Sequence, residues 1–121
     1  MKRLTMTYAD TDFFLAILKS SDWLKENAVK IMKNYTIETS EVTYIELMLL
    51  AKKYNLDFIE IIKDVMAICH ENNSIYIMAA EYIKNGVNVF DAFHAAHCNG
   101  EIISSDHIYD KLDIKRIKLE D

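Results

Sequence analysis

A chain of 121 residues, 51% hydrophobic and 27% charged, has the composition of a folded globular protein and excludes intrinsic disorder. The length suits a single domain spanning 1–121, with room for one real core. A net charge of −5 excludes a generally basic nucleic-acid binder, so a polyanionic partner would need a local basic patch or a bound cation.

Leu4 to Ala9 reads as a short strand, with Asp10 at its end, and Phe13 to Leu18 is the apolar start of a helix. From Asp22 to Met32 the apolar residues Trp23, Leu24, Ala28, Ile31 and Met32 recur at helical spacing. Tyr35 to Glu38 is a second strand, and Thr39 or Ser40 can cap the helix that follows over 41–54. In that helix Val42, Ile45, Leu49 and Leu50 define an inward stripe, and Glu46 lies on it. Asp57 and Glu60 stand in capping-box spacing ahead of a helix running through Phe58, Ile61, Ile62, Val65, Met66 and Cys69.

Ser74 to Ile77 reads as a short strand leading into a helix that ends near Asn85. Asn88 caps a helix over Val89 to Cys98. Glu101 to Ser104 is a strand, Asp106 to Leu112 a short helical turn and Ile114 to Leu119 a final strand. Gly86 and Gly100 each follow an asparagine and close a helical segment, which is the left-handed C-cap pattern. Strands alternating with helices indicate an α/β fold with a parallel sheet, in which ligands bind beyond the carboxyl ends of the strands. Asp10 and Asp106 stand at such ends.

Four acids therefore draw the chemistry together: Asp10, Glu46, Asp91 and Asp106. Asp10, Asp91 and Asp106 each have a structural explanation at a helix start, by capping or by favouring the dipole. Glu46 has the weakest one, because a carboxylate on an inward helix face is expensive without a partner. If the four converge, two carboxylates about 5 Å apart repel by roughly 3 kcal/mol at an effective dielectric of about 20. A hard divalent cation, Mg²⁺ or Mn²⁺, removes that conflict and lowers the pKa of a bound water, which can then attack a phosphodiester in line.

In order along the chain stand Tyr8-Ala9-Asp10-Thr11-Asp12 after a strand and an inward Glu46. They are followed by Phe90-Asp91-Ala92-Phe93-His94-Ala95-Ala96 opening a helix and Ile103-Ser104-Ser105-Asp106 closing a strand. This ordered set resembles the PIN domain over essentially the whole chain. The resemblance implies a three-layer α/β/α sandwich with a central, mainly parallel sheet. It also implies a Mg²⁺- or Mn²⁺-dependent endoribonuclease that cleaves single-stranded RNA to leave a 5′-phosphate. Short stand-alone members are often toxins of the VapC type, held by a small antitoxin and commonly homodimeric. Carried over, Asp10, Glu46, Asp91 and Asp106 are the catalytic, metal-binding quartet, and Thr11 and Ser105 match its supporting hydroxyl neighbours. Asp12 departs from the usual small hydroxyl residue or asparagine and is read as a helix cap or a further ligand, with the cap preferred. A catalytically silent PIN-like module that binds RNA or protein is the alternative, as is a processing nuclease without an antitoxin.

Other constellations are weaker. Asp10-Thr11-Asp12 also resembles the first motif of haloacid-dehalogenase phosphotransferases, but Phe14 stands where that motif has a hydroxyl. His94, His97 and Cys98 lack zinc spacing, and His94 and His97 read as packing or hydrogen-bonding residues. His70 reads as a helix-end residue, and His107 as either near the site or facing solvent. Lys111, Lys115, Arg116 and Lys118 form a basic cluster, read as a charged edge strand or as a rim for phosphate. Cys69 and Cys98 lie in apolar helical patterns, as free core cysteines of a reducing compartment do. The first residues lack an apolar signal-peptide core, and no run could span a bilayer, so the expected location is cytoplasmic with no membrane partner.

Overall fold

The computed structural model describes residues 5–19 and 23–120, arranged as two compact units that divide between Asn73 and Ser74. The expected strand start at Leu4 and helix start at Asp22 fall outside the described residues.

The first unit contains β1 (Met6–Tyr8), α1 (Thr11–Leu18), α2 (Lys25–Asn34), β2 (Thr36–Glu38), α3 (Glu41–Tyr54) and α4 (Phe58–Ile68). β1 and β2 pair in parallel, with Met6 opposite Thr36 and Tyr8 opposite Glu38. Asp10 caps α1 by accepting the Asp12 amide at 3.1 Å, so Asp12 lies inside the first turn and is not the cap. Asp57 caps α4 through the Glu60 amide, as the spacing predicts. α3 stops at Asn55, whose φ of 55° is left-handed, a conformation asparagine tolerates. α1 packs against α2, α3 and α4. Phe14, Ile37, Tyr44, Leu47, Met48, Ala51, Ile62 and Val65 fill the core.

Two expectations change in this unit. The inward face of α3 is Thr43, Tyr44, Leu47, Met48 and Ala51, while Val42, Glu46 and Leu49 are exposed. α3 is apolar around most of its circumference, so hydrophobicity alone does not say which stripe turns inward. In α2 only Ala28 is buried, and Trp23, ahead of the helix, is 87% exposed.

The second unit contains α5 (Ser74–Lys84), α6 (Val89–His97), β3 (Glu101–Ser104), a 3₁₀ helix (His107–Leu112) and β4 (Lys115–Lys118). β3 and β4 are parallel, with Glu101 opposite Lys115 and Ser104 opposite Lys118. The strand expected at Ser74–Ile77 is instead the first turn of α5. Tyr76, Ala79, Ala80 and Ile83 are its buried residues, an i, i+3, i+4, i+7 stripe that overrides the β-branched look of Ile75 and Ile77. Asn88 caps α6 through the Phe90 amide. Asn99 and Gly100, at φ 54° and 87°, form the left-handed exit from α6 into β3. Ala95, Tyr109 and Ile114 form a core cluster with Tyr82, Cys98, Ile102, Ile108 and Leu112 around it.

Arg116, on β4, is tied to its own unit. Its guanidinium donates to Asp110 at 3.1 Å, to Glu120 at 2.9 Å and to the Ser104 carbonyl at 2.9 Å, and the side chain is 3% exposed. The basic cluster thus loses its arginine as a contact for external phosphate. The guanidinium holds both carboxyls below their ordinary values, near 3.8 for Asp110 and 4.5 for Glu120. Groups with depressed folded pKa values stabilise the fold above the unfolded pKa, and that stability is lost as pH falls through the folded one. The melting temperature of wild type should therefore fall on acidification through and below pH 4.5 more steeply than that of Arg116→Gln. Parallel slopes in a pH series of thermal melts would remove this role.

Candidate active site

Each unit presents two of the four acids. In the first, Asp10 leaves the carboxyl end of β1 and is held by its capping bond, with its side chain exposed. The next residue, Thr11, is buried and donates its hydroxyl to Glu46 Oε1 at 2.9 Å, across 35 positions of sequence. That bond carries the turn after β1 onto α3, and it gives the exposed Glu46 the fixed partner that burial was expected to demand.

A hydroxyl chain reinforces the same turn. Thr39 Oγ1 donates to the Ala9 carbonyl at 2.9 Å and lies 2.8 Å from Thr43 Oγ1. The Tyr8 hydroxyl lies 2.7 Å from Ser40 Oγ, which holds the phenol below its ordinary pKa. Ser40 begins α3 without a side-chain capping bond, so its hydroxyl is available to the tyrosine.

In the second unit Asp106 caps the 3₁₀ helix by accepting the Ile108 amide at 3.0 Å, and its own amide donates to Ser104 Oγ. Ser104, rather than Ser105, therefore supplies the hydroxyl that fixes Asp106. Asp91, in the first turn of α6, is half-buried and accepts from the Tyr109 hydroxyl at 3.4 Å. Tyr109 is buried and its phenol is pushed up to about 12, first by burial, then by Asp91 and to a lesser degree by Asp106. It remains a proton donor at any physiological pH. Sequence reasoning passed over Tyr109, which stands with Ile108 between His107 and Asp110 and so carries no apolar run to mark it as buried.

Asp12 is exposed within α1. His94 and His97 are exposed on α6. His107 is exposed beside Asp110, Glu120 and Arg116. His70 lies just beyond α4 with φ 50°. A cleft of about 260 Å³ in the first unit is lined by Met6, Glu38, Thr39, Cys69, His70 and Glu71. Burial, with Glu71 and Glu38 nearby, pushes the Cys69 thiol up to about 11, so it carries no thiolate for nucleophilic chemistry.

The PIN domain family matches residues 7–115, which include all four acids and run through both units. The chain belongs to the PIN domain family. The family's fold is three-layer α/β/α, and the parallel pairs and interspersed helices of this PIN domain are compatible with it. PIN domains are generally nucleases, and those nucleases typically use divalent metals such as Mg²⁺ on a nucleic-acid substrate. No curated protein and no solved structure matches the chain significantly.

In neither unit do three or more His, Cys, Asp or Glu side chains among the described residues group to hold a metal ion. The donors that are present are all oxygen: two carboxylates in each unit, with the Thr11 and Tyr109 hydroxyls orienting one of each pair. This donor chemistry fits Mg²⁺ or Mn²⁺, since Mg²⁺ is held by one or two carboxylates plus waters and substrate phosphates. Among the described residues no helix is long and apolar enough to cross a membrane.

Proposed function

We propose that this PIN domain, 1–121 acting as one domain, is a Mg²⁺- or Mn²⁺-dependent endoribonuclease that cleaves single-stranded RNA. The observation that carries the reading is that the family match spans both carboxylate pairs, each pair tied to its fold by specific hydrogen bonds. On this reading Asp10, Glu46, Asp91 and Asp106 are the metal-binding residues, for one or two ions. When bound, the cation supplies Lewis-acid stabilisation of charge developing on a phosphoryl oxygen and makes water a better nucleophile near neutral pH.

The chain's own groups do the positioning. Thr11 keeps Glu46 in one orientation with a neutral donor, leaving the second carboxylate oxygen for the site. Tyr109 does the same for Asp91, and its raised pKa keeps the proton on the phenol. The caps at Asp10 and Asp106 fix backbone direction at two helix starts, where amide dipoles also favour negative charge. Ser105 and Asp12 are neighbours of these caps and are proposed only as support.

The finer reading is a cytoplasmic toxin inhibited by a small antitoxin and working as a homodimer, in line with the short VapC-type proteins the sequence resembles. A catalytically silent PIN-like module that binds RNA or protein is the second reading; among the described residues no three metal donors group in either unit. A metal titration separates them. A cation at 100 times its dissociation constant stabilises the folded state by about 2.7 kcal/mol. Mn²⁺ should raise the melting temperature of wild type, and much less that of Asp10→Asn, which keeps its capping ability because asparagine caps as well as aspartate. Equal shifts in both proteins would count against Asp10 as a ligand, and no shift at millimolar Mn²⁺ against the site.

A further inference from the structure

The inference concerns how the substrate is seated, and it rests on the ribonuclease reading above. Side chains alternate across a strand, so Met6, Tyr8 and Asp10 fall on one side of the extended segment that begins with β1, with Thr7 and Ala9 on the other. The exposure follows that alternation: Met6, Tyr8 and Asp10 are exposed, and Thr7 and Ala9 are partly covered. Ala9 continues the pairing past Tyr8 by donating its amide to the Glu38 carbonyl at 2.9 Å, which keeps the segment extended up to Asp10. An aromatic ring therefore stands on the same side as the first carboxylate of the candidate site, two residues away, or about 6.6 Å along the strand.

The ring is open yet anchored. Tyr8 is 54% exposed, and its hydroxyl is held at 2.7 Å by Ser40 Oγ. Ser40 in turn opens α3, the helix that carries Glu46. An exposed aromatic side chain ordinarily loses rotamer freedom when a ligand stacks on it; here the tether from the far end of the ring removes much of that cost beforehand. Trp23 and Tyr54 are also exposed but lie beside none of the four acids in sequence, and Phe90, as exposed as Tyr8 and next to Asp91, has no hydroxyl by which to be tethered.

We propose that Tyr8 is a stacking platform for a nucleobase of the single-stranded RNA, the base next to the phosphate that is cut. Base–aromatic stacking accepts any base, because every base has a π face, so Tyr8 seats the strand without reading its sequence. Single-stranded rather than duplex RNA follows, since a paired base has no free face to offer.

The test uses the full chain with Mn²⁺ and a short fluorescein-labelled single-stranded RNA of mixed sequence, comparing wild type, Tyr8→Phe and Tyr8→Leu. Stacking of one base is worth roughly a 5- to 100-fold change in affinity. Tyr8→Leu should raise KM by an amount in that range with kcat within about threefold, and Tyr8→Phe, which keeps the ring but loses the Ser40 tether, should raise it much less. Oligonucleotides abasic at successive positions provide a reading independent of how the variants fold. One position should raise the wild-type KM, and that penalty should vanish in Tyr8→Leu. A wild type that cleaves RNA alongside a Tyr8→Leu variant of unchanged KM would overturn the platform and leave the ribonuclease reading standing. If wild type neither cleaves nor binds RNA, both fall.

Discussion

Asp91→Asn should abolish RNA cleavage while leaving the fold intact. The substitution removes one negative charge and almost no volume, and an asparagine carbonyl can still accept the Tyr109 hydroxyl. What the fold loses is the favourable meeting of a carboxylate with the start of α6, worth about 0.3–1 kcal/mol. What the site loses is an anionic oxygen donor, and a cation's stabilisation of transition-state charge amounts to several kcal/mol. Cleavage of single-stranded RNA with Mn²⁺ should therefore drop on the order of 10²-fold or more, with the melting temperature in EDTA nearly unchanged. Equal fragment release by wild type and variant would remove the nuclease proposal. A collapse of the melting temperature would instead assign Asp91 to structure.

Phe14→Ala should cost about 3–5 kcal/mol of stability, a large part of the roughly 5–15 kcal/mol that holds a typical domain together. Phe14 is fully buried on α1, three residues after Thr11, and meets Phe13 edge-to-face at 5.2 Å. α1 packs on α2, α3 and α4, and little can move in to fill the space. The same packing holds the start of α1, so any folded Phe14→Ala protein should also be slack at Asp10 and Thr11. Urea unfolding should show a much lower midpoint with an unchanged slope. Trp23→Ala, a larger truncation at an 87% exposed position, should move the midpoint little. Comparable losses for the two would contradict the burial pattern.

The elements that were legible in the sequence are those whose signals were local. α3 spans Glu41–Tyr54 and β3 spans Glu101–Ser104, as patterning indicates, and the caps at Asp57 and Asn88 are occupied as expected. Ser74–Ile77 was misread because four residues cannot distinguish a strand from the first turn of a helix; the stripe that decides it extends to Ile83. The inward face of α3 was misread because apolar residues lie on both of its sides, and its partners are distant in sequence. Around the candidate site, the helix starts near Asp10, Asp91 and Asp106 were legible and the hydrogen bonds were not. Thr11 to Glu46 spans 35 positions and Tyr109 to Asp91 spans 18, and neither leaves a periodic trace. Arg116 could be read as an edge-strand charge or as a phosphate contact because sequence displays its charge and conceals Asp110 and Glu120, which neutralise it.

The hydrogen bond from Thr11 has a consequence for ion discrimination. It takes one acceptor position on Oε1 of Glu46, so on the proposed reading Oε2 is the less encumbered oxygen for a cation. Ca²⁺ commonly takes both oxygens of a carboxylate within a large, irregular shell, whereas Mg²⁺ takes single oxygens at octahedral corners. For Ca²⁺ to chelate through Glu46, Oε1 would have to serve the threonine and the ion at once. On that reading the buried Thr11 hydroxyl tilts the site toward the ion that asks for a single carboxylate oxygen.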